Sequence, residues 1–160
     1  MTVIRFATPD DVPTIMRFVR ELAAFEREAD KVVATEELLH KAMFGADRPD
    51  AEAVIAEQDG VPLGMALFFH NFSTWTGWRG LYLEDLYVTP EARGRGIGAA
   101  LLRHLAGIAV ERGCTRFEWS VLDWNEKAIA FYKAMGAVPM DGWTVNRVSG
   151  DALTKLAGRS

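Results

Sequence analysis

Three glycines in five residues, within Arg93-Gly94-Arg95-Gly96-Ile97-Gly98, separate two stretches of different periodicity. Before them, Leu81-Tyr82-Leu83-Glu84-Asp85-Leu86-Tyr87-Val88 is rich in β-favouring residues and predicts a strand. After them, Ile97, Leu101, Leu105 and Ile108, with Leu102 and Ala109 beside them, fall on one helical face. The chain must therefore turn from strand to helix where few side chains cover its backbone. Missing Cβ atoms let a ligand reach the main chain. A helix start adds unpaired N–H groups and the positive end of its dipole. That combination suits a phosphate or pyrophosphate, and Arg93 and Arg95 add two cationic donors. The same hexapeptide also reads as a plain glycine-rich turn with exposed arginines, and on its own it does not choose.

The rest of the composition narrows the class. A chain of 160 residues, 49% hydrophobic and 25% charged, is long enough for one domain (1–160) with a real core. A net charge of −4 argues against a general nucleic-acid binder, although Arg93, Arg95 and Arg103 form a local basic patch. Cys114 is the single cysteine, which rules out an intrachain disulfide and reads as a small hydrophobe near a strand start. His40, His70 and His104 are scattered without metal-ligand spacing, so no metal is predicted. No apolar run approaches the roughly 20 residues of a membrane span. The N-terminus lacks the basic region and apolar core of a signal peptide. The expectation is a cytoplasmic protein.

Taken in order, residues 2–7 alternate as a short strand. Thr8-Pro9-Asp10-Asp11 starts a helix whose apolar face is Val12, Ile15, Met16, Val19, Leu22 and Ala23. It runs to about Glu26. Thr35-Glu36-Glu37-Leu38 caps a second helix that ends near Phe44-Gly45. Residues 51–57 and 61–69 flank Gln58-Asp59-Gly60, where Asp-Gly signals a hairpin. Asn71 to Gly80, with Trp75 and Trp78, suggests a loop; those tryptophans and Met65 read as packing or subunit-contact residues. The helix after the glycine turn stops at Arg112-Gly113. Residues 115–122 alternate as a strand, Asp123-Trp124-Asn125-Glu126 opens another helix, 137–140 and 143–148 suggest a terminal hairpin, and 150–156 a weak last helix. The expected fold class is α/β (α+β): a mixed, twisted sheet of about 6–7 strands with helices on both faces.

Two nucleotide-binding motifs fit poorly. A dinucleotide fingerprint would use Gly94, Gly96 and Ala99, but it should open the fold rather than follow half the chain. Its acidic partner would be Glu118, inside a strand instead of at its end. No Gly-Lys-Ser/Thr follows, which removes a triphosphate-binding P-loop.

The arrangement resembles the GNAT N-acetyltransferase superfamily. Its Arg/Gln-x-x-Gly-x-Gly/Ala motif is met by Arg93, Gly96 and Gly98, about 30 residues before Asn125-Glu126-Lys127-Ala128 and Phe131-Tyr132-Lys133-Ala134-Met135-Gly136. Tyr82 to Val88, Glu21-Leu22-Ala23-Ala24-Phe25-Glu26, Trp124-Asn125-Glu126 and Gly142-Trp143 are similar to the spermidine/spermine and thialysine acetyltransferase group. The resemblance covers nearly the whole chain.

It implies a GNAT fold with acetyl-CoA held where two parallel strands splay apart. Gly94, Arg95, Gly96, Ile97, Gly98 and Ala99, after Arg93, would cradle the pyrophosphate. Leu86, Tyr87 and Val88 would pair with the pantetheine arm, one of their N–H groups holding the thioester carbonyl. Asn125, Glu126 and Ala128 would line the opposite wall. The reaction implied is acetyl transfer, in a ternary complex, to a primary amine of a small cationic molecule such as a diamine, a polyamine or a thialysine-like amino acid. An alkyl ammonium with a pKa near 10.4 must lose a proton first, at a cost of roughly 4–5 kcal/mol at neutral pH. Glu84 matches the family's base, acting through water, and Tyr132 its general acid toward the departing thiolate. Asp85 alternates with Glu84 and is expected to point away. Phe25, Glu26, Glu118, Trp119, Ser120 and Asp141 match substrate-lining positions. Phe25 stands where a Tyr is common, Asp141 where a Glu is, and Lys127-Ala128 replaces a Pro-Ser pair; these departures bear on the amine, not on acetyl transfer. The group is dimeric, which implies a homodimer. A protein lysine or N-terminal acetyltransferase and a non-catalytic acetyl-CoA sensor share the cofactor motif.

Overall fold

The computed structural model describes residues 1–159. Its contacts group into two compact units, Met1–Asn125 and the segment from Glu126 onward.

The first unit is a five-stranded sheet in the order β1-β2-β3-β4-β5 with three helices. The elements are β1 (Val3–Phe6), α1 (Val12–Phe25), α2 (Glu36–Phe44), β2 (Glu52–Gln58), β3 (Val61–Ser73), β4 (Trp78–Val88), α3 (Ile97–Glu111) and β5 (Phe117–Glu118). The first four strands are antiparallel in sequence order, and β5 pairs parallel to β4, which makes the sheet mixed. Asp59 and Gly60 join β2 to β3 with φ of 52° and 77°, the left-handed pair of a type I′ hairpin turn. Gly64 is required by the β3–β4 approach: a Cβ there would lie 2.6 Å from the Tyr87 carbonyl oxygen.

Alternation along β3 assigns the faces. Met65 and Leu67 pack with Ile15, Phe18, Met43, Ala53, Ile55 and Tyr87 under α1 and α2. Phe68 and His70 meet Arg112 at the end of α3. Helices therefore cover both faces. Phe18 is fully buried where the sequence pattern favoured Val19, and burying a side chain of that size contributes about 1.5–3 kcal/mol. The apolar face expected of α3, from Ile97 to Ala109, is buried throughout.

Two expectations for this unit need correction. Residues 71–80 are not mainly loop: β3 and β4 stay in register from His70↔Leu81 to Ser73↔Trp78, which leaves only residues 74–77 for the turn. Gly80, inside β4, makes room for the Asn71 side chain, whose Oδ1 lies too close to where a Cβ would sit for one to be added without a shift. The strand expected over 115–122 shrinks to β5, because pairing with β4 stops at Tyr82↔Glu118.

The second unit contains α4 (Glu126–Ala134) and α5 (Asp151–Leu156). The terminal hairpin expected over 137–148 is absent, so the sheet has five strands instead of 6–7. A two-stranded hairpin needs a face to bury, and Val138, Met140, Trp143, Val145 and Val148 are all exposed.

Candidate active site

The glycine turn takes the shape its composition demands. Pro90–Ala92 form one helical turn, and Gly94 and Gly96 both have φ of 78°, a conformation that disfavours any residue with a Cβ. Gly96 is the residue that precedes α3, so the first amides of α3 emerge next to it. No heavy atom comes within 4 Å of where a Cβ on Gly94 or Gly96 would sit, so the backbone here faces open space. The arginines reach outward from the turn. The Arg95 guanidinium donates to Gln58 Oε1. Arg93 Nε donates to the Val88 carbonyl oxygen at 3.1 Å, and its guanidinium lies 5.5 Å from the Phe25 ring centroid and 5.9 Å from that of Tyr87.

From Leu83 to Val88, β4 pairs with β3 alone, because β5 has already left its other edge. Leu86, Tyr87 and Val88 thus lie, directly ahead of the turn, on a strand whose second side pairs with no described strand, the Val88 carbonyl oxygen being held by Arg93. Tyr87 is buried against Phe18, with ring centroids 5.3 Å apart, and its hydroxyl donates to Glu21 Oε2 at 2.7 Å. Burial and that bond push its phenol up to about 12.

A cluster of carboxylates gathers at the far end of α1. The helix stops with Arg27 at φ 63°, its N–H donating to the Ala24 carbonyl and that of Glu28 to the Ala23 carbonyl, the bonding of a Schellman stop. The left-handed Arg27 lays its guanidinium 4.5 Å from the Trp124 ring centroid, and Trp124 meets Phe25 at 6.2 Å. Both aromatic rings are about half exposed. Glu26 sits at this stop; burial first, then the charges of Glu28 and Glu84, raise its pKa. Burial and the charges of Glu84 and Glu26 push the Asp85 carboxyl up to about 6. Three carboxylates therefore act on one another near two half-exposed aromatic rings that each already carry a guanidinium of the chain, Arg27 on Trp124 and Arg93 on Phe25.

The remaining expected residues divide by position. Glu118 Oε1 accepts from Asn71 Nδ2 at 3.4 Å, and Ser120 Oγ is 2.9 Å from the Tyr82 hydroxyl, farther along the α1 face of the sheet. Trp119 alternates to the other side of its segment. The Asn125 amide donates to the Leu122 carbonyl and ends the first unit. Glu126, Ala128, Tyr132 and Asp141 belong to the second. There Tyr132 stacks on Phe131 with centroids 5.3 Å apart on α4, and Asp141 is exposed. The structure thus brings together Phe25, Glu26, Glu84 and Arg93, and adds two residues that sequence reasoning undervalued. In the sequence Trp124 stands out only as part of a motif. Simple alternation points Asp85 away, but the β3–β4 register slips by one residue here: Leu67 faces Asp85 while Phe68 faces Leu83. The slip leaves a sequence trace, since apolar residues shift from Leu81 and Leu83 to Leu86 and Val88 across two consecutive acids.

A sheet with helices on both faces, a parallel strand that parts from β4 and a glycine turn into α3 form the scaffold that carries these residues. The sequence profile of the acetyltransferase (GNAT) family matches residues 16–137, and the chain belongs to that family. It is an N-acetyltransferase. It is 40% identical to the thialysine N-epsilon-acetyltransferase of Sus scrofa, with 98% of each chain covered. It is also 32% identical to an L-ornithine N5-acetyltransferase of Arabidopsis thaliana over 96% of this chain and 86% of that one. Among solved structures, an integron cassette protein of V. cholerae superposes with a TM-score of 0.80 at 28% identity, covering 98% of this chain and 97% of the other. A ribosomal-protein-alanine N-acetyltransferase of Brucella melitensis shares the fold, with a TM-score of 0.70 at 24% identity over 92% of this chain and all of the other.

Proposed function

We propose that the enzyme acetylates a primary amine on a small, cationic, amino-acid-like molecule such as thialysine or a related diamine, with a polyamine as the alternative within the same class. The carboxylates Glu26, Glu84 and Asp85 beside Phe25 and Trp124 carry this reading. Mutually repelling carboxylates at the end of a helix are relieved by a bound ammonium, and the aromatic faces exclude water from its alkyl chain. The thialysine and ornithine enzymes to which the chain is similar act on amines of this kind.

Acetyl-CoA, the donor we assign, supplies an activated acetyl thioester. The open backbone at Gly94 and Gly96 and the amides through Ala99 fit its pyrophosphate, and the second edge of Leu86–Val88 fits an extended arm. Within this reading an amide of that edge polarises the acetyl carbonyl. Glu84, exposed, connects the amine end to water and serves the base role there. The Tyr132 phenol gives a proton to the departing sulfur, and Asn125, Glu126 and Ala128 line the cofactor's second wall. Glu118, Trp119, Ser120 and Asp141 remain assigned to the substrate. The chain acts as one domain, and the family resemblance supports a homodimer.

A panel of amines tests the function by thiol release from acetyl-CoA. Thialysine, lysine, ornithine and diamines should turn over faster than monoamines of equal length. Equal or faster turnover of a neutral-tailed amine, or acetylation of peptide lysines alone, would overturn the assignment.

A further inference from the structure

The one-residue slip in β4 decides which carboxylate lies under α1. On β3, Leu67 belongs to the cluster beneath α1, while Phe68 faces Arg112 and α3. Their partners are Asp85 and Leu83, so Glu84 is the extra residue between two paired positions, a β-bulge. Tyr82 shares the α1 face with its partner Phe69, whose ring centroid is 5.1 Å away. Strict alternation from Tyr82 would place Glu84 next on that face. The bulge hands the position to Asp85 instead, in line with Tyr87. Glu84 is left exposed and Asp85 half-buried.

We propose that Asp85 is the first acceptor of the substrate's proton, with Glu84 passing it on to water. The proposal rests on the amine reading of this site. In the step, one N–H bond of the ammonium breaks, its electron pair stays on nitrogen as the attacking lone pair, and the proton forms an O–H bond on Asp85. The proton then leaves through Glu84 to solvent, which restores the carboxylate; nothing is oxidised or reduced. The surroundings favour this order. The charged groups acting on Asp85 are Glu84 beside it and Glu26 from the end of α1; Glu28, behind Glu26, is paired with Lys31 at 2.6 Å, and Tyr87, next on the same strand face, gives its hydroxyl to Glu21 and its ring to Arg93. Burial first, and then the charges of Glu84 and Glu26, raise the proton affinity of Asp85 to about 6, which brings it closer to that of an ammonium near 10.4 by about two powers of ten. A fully exposed carboxylate would not gain this advantage.

The experiment compares Asp85→Asn, Asp85→Glu and Glu84→Gln. With the fastest amine of the panel, Asp85→Asn should lower kcat/KM about 100-fold or more, abolish the rise of rate with pH centred near 6, and leave the acetyl-CoA dissociation constant unchanged. Asp85→Glu should recover at least about tenfold of the loss, and Glu84→Gln should cost less than about tenfold and keep the pH limb. An Asp85→Asn enzyme within about threefold of the parent, or Glu84→Gln as damaging as Asp85→Asn, would overturn the proposal. A second readout needs no turnover: the carboxyl carbon of Asp85, followed by NMR, should titrate near 6 and move to lower pH when thialysine is added. A midpoint in the ordinary range near 4 sinks the role of Asp85 even for an active enzyme. Failure of every amine to react, with the titration as expected, sinks the amine assignment instead.

Discussion

An aspartate that holds its proton to about pH 6 makes the fold more stable protonated than charged. For Asp85 the folded value lies above the unfolded one near 3.9, so its stabilising contribution is complete below about pH 4 and lost as pH rises through about 6. The two-unit difference corresponds to something on the order of 2–3 kcal/mol at neutral pH. Asparagine has no charge to bury. Asp85→Asn should therefore raise Tm by several degrees at pH 8 and by little at pH 4, as scanning calorimetry at the two pH values will show. A more stable but slower enzyme is the pattern of a residue kept for chemistry. Tyr132→Phe should behave differently: kcat falls about 100-fold with the acetyl-CoA dissociation constant unchanged, measured by steady-state kinetics beside calorimetric titration. An unchanged kcat removes Tyr132 from the acid role. Single residues were unequally legible. Glycine positions announce themselves because left-handed backbone demands them, as at Gly94 and Gly96. Asp85 did not, because its direction depends on a strand partner, Leu67, that is 18 positions earlier in the chain.

At the level of elements, the helices and the β2–β3 hairpin were readable from local chemistry. Thr35 Oγ1 accepts from the Leu38 amide at the start of α2, and the hydrophobic period of α3 needs only its own residues. Elements that depend on distant partners were not. β5 ends where it parts from β4, and residues 137–148 alternate like strands yet form none. The strand-to-helix turn is the element where local geometry and ligand binding are one matter. Gly96→Ala adds a Cβ into open space, so its cost is conformational, about 1–2 kcal/mol for a left-handed residue. The expected outcome is a Tm lower by a few degrees together with at least tenfold weaker acetyl-CoA binding in a calorimetric titration, because the amides around it lose their aim. Stability loss without weaker binding would show that the turn is only a turn.

Across the whole molecule, acidic residues are treated in two ways. At the edges of the sheet they are paired: Arg5 bridges Asp11 and Glu57, and Arg112 grips Glu52 with two bonds of 2.7 and 2.9 Å. The Arg5 guanidinium holds the Asp11 carboxyl below its ordinary value, so that contribution to stability is present above about pH 4 and fades as acid is added. At the end of α1, where Glu28 pairs with Lys31, Glu26 and Asp85 have no such partner among the ion pairs of the described residues; burial and the charge of Glu84 act on both, and their pKa values move the opposite way. The net charge of −4 says nothing of this division, which arises only when folding chooses the neighbours. The family and the cofactor turn were legible from contiguous motifs; the amine end was not, since it is assembled from α1, β4 and the segment before residue 125.

Glu84 also differs from every other residue of β4 in what its removal would do. Paired positions lie on both sides of it, Leu83 with Phe68 and Asp85 with Leu67, and those two partners are adjacent on β3. Taking Glu84 out of the gene altogether would close the strand into uninterrupted alternation and leave each remaining side chain on the face it now occupies. A codon deletion in the middle of a core strand is ordinarily ruinous. Here the shortened chain should fold to the same sheet, with an unchanged far-ultraviolet circular dichroism spectrum and a cooperative melt, while its amine turnover falls. A shortened chain that does not fold would mean that the sheet, and not the site, is what retains the extra residue.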